Sequence, residues 1–278
     1  MRAHLGKPTD EAWNTTFGSD SLYEAWTQLP FVHDIYAHNR AVIAGTLQER
    51  TDWHVVEVGG GNGALWDGLL DALAPGTFTL IDPNPNAHDV VGRRLPATVD
   101  FRPVIADVKD ATIPDADVIV CSLTLHHHPG RDAAQRAEFG MKGDGKLEIA
   151  QRFVEALRPR NGIGILNEAD CYNEIDLGPG DEVLVDHFLD VYVRRTARAV
   201  ARAIDDAPPD STLRRRWEAI LRQWCLDQID YAYAPRKARD VYELDAASWL
   251  RLLRSAGATH TEHRYSDQWN LFVQYLFR

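Results

Sequence analysis

The sequence predicts an α/β protein built on a doubly wound, mostly parallel sheet with a helical cover, and three observations predict it. Strand-like apolar runs alternate with helical stretches from Trp53 to Glu168, the pattern of a parallel sheet with crossover helices. The first of these runs, "VVEVGGGNG", ends in a turn rich in glycine, where the backbone is free to bend sharply and to approach a ligand. The last two runs, "HTEHRYS" and "NLFVQYLF", are joined by a tight connection, so they form an antiparallel hairpin at the sheet edge.

Each element follows in order. Residues 10–50 read as helices, with Leu22, Trp26, Leu29, Ile35, Val42, Ile43 and Leu47 near helical spacing. Ser19 or Ser21 is placed to cap the first, and Pro30 opens a break. "WHVVEVG" is the first strand, and "ALWDGLLDALA" reads as a helix over 64–74, ended by Pro75-Gly76. "TFTLIDP" is a strand, "HDVVGRRL" a short helix over 88–95, "DFRPVIADV" the third strand and "DADVIVCSLTLHHH" the fourth. "KLEIAQRFVEALRP" is a helix and "GIGILNE" the fifth strand. The alternation then stops. Two long helices follow, "DEVLVDHFLDVYVRRTARAVARAI" and "STLRRRWEAILRQWCLDQIDYAY", joined through Pro208-Pro209. Asp190 stands four residues before Arg194, the favourable order for a surface pair, while Leu213, Trp217, Ile220, Leu221, Trp224 and Tyr231 form one stripe. "DAASWLRLLRSAGA" is a helix stopped by Gly257, ahead of the final hairpin. The predicted division is a helical cap over 1–50, a sheet domain over 51–174 and 239–278, and a helical lid inserted over 175–238.

Composition narrows the function. A formal net charge of −11 argues against a nucleic-acid partner, which needs a basic surface to neutralise phosphates. "LRRRW" is then a solvated helix face. The N-terminus has no apolar signal core and no run is long enough to span a bilayer, so no membrane partner is expected and a cytoplasmic location is. Cys121, Cys171 and Cys225 are far apart with no CxxC spacing, which is neither a disulfide framework nor a zinc pattern. The excess of arginine over lysine and the abundant alanine point to a high-GC bacterial source.

Three acids carry the chemistry. Glu57 interrupts a strand that should be apolar throughout, and a buried acid there needs a partner, an internal arginine or a ligand cation. Asp82 ends the second strand in "LIDPNP", where a carboxylate can accept both hydroxyls of a ribose. Asp107 ends the third in "VIADV", where it can face an adenine amino group. The glycines also satisfy the dinucleotide pattern G-x-G-x-x-G/A, so a nicotinamide oxidoreductase is a rival.

The combination resembles the class I S-adenosylmethionine-dependent methyltransferases, over about Trp53 to Arg278 with the helical insertion excepted. "VVEVGGGNG" is similar to the first motif of that family, with Glu57, Gly59, Gly61 and Gly63 in place; "LIDPNP" is similar to the ribose motif, "IADV" to the adenine contact, and "SLTLHHHP" to the fourth-strand motif. The resemblance implies a Rossmann-like seven-stranded sheet with an antiparallel last strand. It implies S-adenosyl-L-methionine as cofactor, contacted by Glu57, Gly59, Gly60, Gly61, Gly63, Asp82, Pro83, Asp107, Val108 and Leu123. It also implies that Glu57 lies near the cofactor's methionine ammonium or braces the loop. Ser122 and Leu123 stand where metal-dependent catechol-type relatives place an acidic ligand, so no metal is expected.

On the acceptor side, His126, His127 and His128 follow the fourth strand and Glu168 and Asp170 the fifth, at the edge where open α/β sheets bind ligands. An imidazole there can take an acceptor proton, pack the loop, or ligate a metal with Glu168, Asp170 or His187. The catalytic candidates are His127, His126 and Glu168. The acids from Glu174 to Asp190 read as a solvated face. The aromatics Tyr23, Trp26, Phe31, Tyr36, Phe188, Tyr192, Trp217, Trp224, Tyr231 and Tyr233 are expected mostly in the core, with a subset lining an acceptor pocket. The expected activity is O- or N-methylation of a small-molecule acceptor, a specialised metabolite or amino-acid-like compound, by a protein that is allowed to be a homodimer. A relative that uses the bound sulfonium for another reaction, such as a cyclisation, is the alternative.

Overall fold

The computed structural model describes residues 22–128, 144–170, 188–232 and 244–278. Seven strands form one sheet: β1 (His54–Val58), β2 (Gly76–Ile81), β3 (Val99–Val104), β4 (Val118–Ser122), β5 (Ile163–Glu168), β6 (Thr261–Ser266) and β7 (Val273–Phe277). Their order is β3-β2-β1-β4-β5-β7-β6. β1 lies parallel between β2 and β4, and β7 runs antiparallel between β5 and β6. The order reverses between β1 and β4, which is where an open sheet parts to admit a ligand. The predicted sheet, hairpin included, is therefore observed. Its closing loop is organised by Asp267, whose carboxylate accepts the amides of Trp269, Leu271 and Phe272 at 2.6–2.8 Å.

The described helices are α1 (Leu22–Thr27), α2 (Pro30–Leu47), α3 (Pro85–Gly92), α4 (Asp144–Leu157), α5 (Arg194–Asp206), α6 (Thr212–Ala232) and α7 (Ala246–Ser255). Pro30 is the first residue of α2, where its missing N–H costs nothing. α4 and α7 cover one face of the sheet through Ile149, Phe153, Trp249 and Leu253. The other face packs Val55, Val118, Val120 and Ile165 under α2, Trp53 and Trp66. α2 is also keyed to β7 by a buried hydrogen bond from Gln274 Nε2 to Asn39 Oδ1, 2.6 Å. A third cluster joins α1 and α2 to α5 and α6, with Ala25, Leu29 and Phe31 against Val200, Ala203 and Trp217. The two helical regions that the sequence separates thus share one apolar core. Asp190 pairs with Arg194 as expected, 2.8 Å apart on exposed side chains.

Two helices depart from expectation. Residues 64–74 form a single 3₁₀ turn, Ala64–Trp66, followed by turns and not an α-helix. Gly68 adopts φ +67°, and the Arg40 guanidinium takes the carbonyls of Ala64 and Leu65 that a continuing helix would use. Leu65, Trp66 and Leu70 are buried all the same. The helix expected over 88–95 begins earlier, at Pro85, because Asn84 caps it by accepting the Asn86 amide at 3.1 Å and Pro85 supplies a helical φ. Ser19 and Ser21, the acids from Glu174 to Asp186, and His187 lie outside the described residues, as does Tyr233.

Gly164 is the second residue of β5, paired with Phe277 of β7, and the Phe277 ring occupies the volume a Cβ would need. Gly164→Ala must displace that ring from a fully buried position. It is expected to cost roughly 1–3 kcal/mol, read as a lower denaturant midpoint at unchanged slope; an unchanged midpoint would contradict this packing.

Candidate functional site

β1 delivers Glu57 and then the glycine turn. Gly59, Gly61 and Gly63 take φ of +74°, +54° and +69°, a region that side chains rarely enter. Thr124 fills the space beside Gly59, so both backbone and packing exclude a side chain there. The Gly60 amide donates to Asp82 Oδ2 (3.1 Å), which ties the turn to the end of β2. Asn62 reaches upward, donating to Glu24 (2.7 Å) and Thr27 (3.2 Å) of α1.

Glu57 is 3% exposed and its Oε2 has no hydrogen-bond partner. A Cβ on Gly60 would lie 3.1 Å from that oxygen, so the loop passes directly over it. Burial pushes the carboxyl well above its ordinary range, opposed by the Trp66 indole and reinforced by the negative charge of Asp82. The internal arginine weighed for it from sequence is not there: no ion pair among the described residues includes Glu57.

Asp82 is buried, with Oδ1 accepting the Asn84 amide at 2.8 Å and Oδ2 that of Gly60. Burial raises its carboxyl, against those two amides and His88. Each oxygen keeps a further lone pair. Pro83 beside it is exposed, and Val108 is buried. Asp107, partly exposed, accepts the Lys109 amide at 3.0 Å and lies 3.7 Å from His128 Nδ1. Burial opposes, but that amide and the charges of His128 and Lys109 hold its carboxyl below the usual range. Leu123 adopts φ +52° and packs against the helical cap, with its amide on the Asn167 carbonyl at 2.8 Å.

The three histidines form a 3₁₀ turn, Leu125–His127, and its continuation. Glu168 is fully buried and accepts both the His126 amide (3.2 Å) and, at 2.6 Å, the bond with His126 Nδ1. Burial lifts Glu168 to about 7, against Lys146, His127 and the amides of the turn, and drives His126 down to about 3, helped by Lys146. Burial also takes His128 to about 4 against the pull of Asp107. His127 is exposed, and its ring packs 4.2 Å from that of His126. His126, His127 and Glu168 are thus brought together as the sequence proposes.

Asp170 is drawn elsewhere: its Oδ1 accepts the Ala246 amide at 3.0 Å and helps cap α7. Among the described residues no group of three His, Cys, Asp or Glu side chains is placed to hold a metal ion. The described members of the aromatic set, Trp26, Phe31, Tyr36, Tyr192, Trp217 and Trp224, pack in the cap cluster beside Leu123. Lys146, which sequence reasoning passed over, is fully buried beside this site and donates from Nζ to the His128 carbonyl at 2.7 Å. Its one sequence signal is a lysine in the first turn of a helix, where the dipole disfavours a cation. No helix among the described residues is long and apolar enough to cross a membrane.

Residues 56–160 match a family model described as a methyltransferase domain. No curated protein matches the chain. Among solved structures, the N-methyltransferase NodS from Bradyrhizobium japonicum WM9, in complex with S-adenosyl-L-homocysteine, is 13% identical over 98% of both chains, with a TM-score of 0.53. The CurJ carbon methyltransferase is 13% identical over 89% of this chain and 54% of its own, at 0.52. Human N-acetylserotonin methyltransferase, in complex with SAM, is 14% identical over 94% of this chain, at 0.46. This chain spans 57% of the human protein's length.

The His126–Glu168 pair makes a prediction about pH. A carboxyl raised to about 7 by folding adds stability that is complete below its ordinary 4.5 and is lost as pH rises through 7. Glu168→Gln removes that loss. Its stability relative to the parent should therefore increase between pH 5 and 8, by up to roughly 3 kcal/mol. Denaturant melts across this range check it; a difference independent of pH would show that Glu168 titrates as an ordinary acid.

Proposed function

We propose that this chain is an S-adenosylmethionine-dependent methyltransferase that methylates a small-molecule acceptor on oxygen or nitrogen; the methyltransferase-domain match over 56–160 and the shared fold support the reading. The observation that carries the cofactor assignment is the unpartnered Oε2 of Glu57 beneath the glycine turn. A buried carboxylate with a raised pKa is a site for a cation, and an ammonium group delivered there would restore its charge. The bound cofactor supplies an electrophilic methyl group on a sulfonium.

The remaining roles belong to the chain. Glu57 accepts from the methionine ammonium. Gly59, Gly60, Gly61 and Gly63 let the ligand reach the backbone, and Asp82 accepts the ribose hydroxyls on its free lone pairs. Pro83, Asp107 and Val108 border the adenine, and Leu123 carries the β4 turn toward the amino-acid end. The cap formed by α1, α2, α5 and α6 excludes water, and the ends of β4 and β5 orient the acceptor. His127, exposed at this edge, takes the acceptor proton; His126 and Glu168 hold the turn that presents it. A cytoplasmic, biosynthetic setting in a bacterium belongs to the same proposal, and a homodimer is compatible with it.

Calorimetry should show S-adenosylmethionine binding and no binding of NAD. Glu57→Gln and Asp82→Ala are each expected to weaken that affinity by roughly 1.5–3 kcal/mol. Unchanged affinity in folded variants would remove these residues from the site. With an acceptor found by screening for S-adenosylhomocysteine release, His127→Ala should lower turnover roughly 10²–10⁴-fold at unchanged cofactor affinity. Full turnover with weakened cofactor binding would instead move His127 into the cofactor pocket.

A further inference from the structure

Lys146 is one of the largest fully buried side chains of the protein, and nothing in the proposed chemistry uses it. It stands in the first turn of α4, where the helix dipole disfavours a cation, so helix stability does not account for it. Burying an ammonium costs several kcal/mol unless paired charge and hydrogen bonds compensate. The surroundings supply both. Nζ donates to the His128 carbonyl at 2.7 Å and lies 6.0 Å from the Trp249 ring centroid. Trp249 in turn donates its indole N–H to the Ala169 carbonyl (3.3 Å), the residue that follows Glu168.

We propose that Lys146 is a positioning residue of the site: its buried ammonium, bonded to the His128 carbonyl and set beside the Trp249 ring, locks the His126–His128 turn against the end of β5, where that turn meets Glu168. The inference rests on the acceptor side assigned above and deepens it. The turn it holds is a bridge: His126 reaches Glu168 on β5, and the His128 ring faces Asp107 beyond β3. One lysine thereby fixes the geometry between the acid expected at the adenine and the acid expected at the acceptor. The titratable groups around this charge are Glu168 of β5, Cys121 of β4, the three histidines of the turn, Asp107, and Tyr275 of β7, which feels Glu168. Among them Lys146 acts on Glu168, His126 and His128, lowering each.

The test separates charge from space-filling. Lys146→Gln keeps a donor for the His128 carbonyl and removes the charge; Lys146→Arg keeps the charge. Carbon-13 NMR of the Glu168 carboxyl, assigned with Glu168→Gln, follows its titration without any acceptor. The midpoint is expected to move above the parent value in Lys146→Gln and to stay in place in Lys146→Arg. The His126 ring nitrogens should also protonate at higher pH in Lys146→Gln. A Lys146→Gln midpoint equal to the parent's, or a Lys146→Arg midpoint displaced upward, overturns the proposal. Should Lys146→Gln fail to fold, the Lys146→Arg midpoint decides alone. Calorimetry with S-adenosylhomocysteine on the parent protein tests the functional assignment separately, since its failure leaves this titration unaffected.

Discussion

A buried carboxylate oxygen with no hydrogen-bond partner, beneath a glycine turn, is the constraint around which the carboxyl edge of the sheet is arranged. Glu57 cannot retreat, because β1 is flanked by β2 and β4 and its neighbours Val56 and Val58 are fully packed. It cannot ionise cheaply without a cation, because the turn above it excludes solvent. Everything near it serves that arrangement. Asp82 spends one hydrogen bond holding Gly60 down, Thr124 closes the side of Gly59, and Asn62 fastens the turn to α1. The stability lost by leaving one oxygen unsatisfied is the kind of local cost that proteins carry where a ligand will later supply the missing partner.

The opposite edge of the sheet holds a buried carboxylate whose charge is compensated within the chain. Asp117 is also fully buried, yet it is ion-paired with Arg50 and Arg160 at 2.9 Å each and accepts the His54 amide at 2.8 Å. That acid joins the starts of β1, β4 and β5, and its charge is compensated by two guanidinium groups of the same chain. The two ends of one sheet therefore differ in how they treat charge: the amino ends are closed and self-sufficient, and the carboxyl ends are left with capacity. His126, Glu168 and Lys146 gather at the carboxyl ends, where the turn after β4 meets the end of β5.

Much of this was legible in the residues because it is local. The strands, the glycine turn, the acids at the ends of β2 and β3, and the final hairpin are written as short runs whose chemistry and geometry coincide. The helix expected over 64–74 failed for a reason no local pattern contains: Arg40, 24 and 25 residues earlier, claims the carbonyls of Ala64 and Leu65. Asp170 was read as an acceptor-side acid because it follows Glu168, but its partner is Ala246, 76 residues on. Lys146 opens a run read only as a helix, and the packing of α4 against β4 and β5 places its ammonium beside the histidines. Sequence reveals which groups are present at an edge; the tertiary contacts decide which of them are already committed.

The shared core of the cap has a consequence for how the chain is made. Trp217 donates its indole N–H to the Ala25 carbonyl across 192 residues, and Trp26 stacks near Trp224. The face of α1 that carries Ala25 and Trp26 therefore gains its α6 partners only when a segment 192 residues further along has been made. At ordinary elongation speeds that interval is roughly 10–40 s, during which Leu29, Phe31 and Val32 present an uncovered apolar face. This apolar face is thus among the last surfaces of the fold to be covered, and it is open to non-native contacts in the meantime.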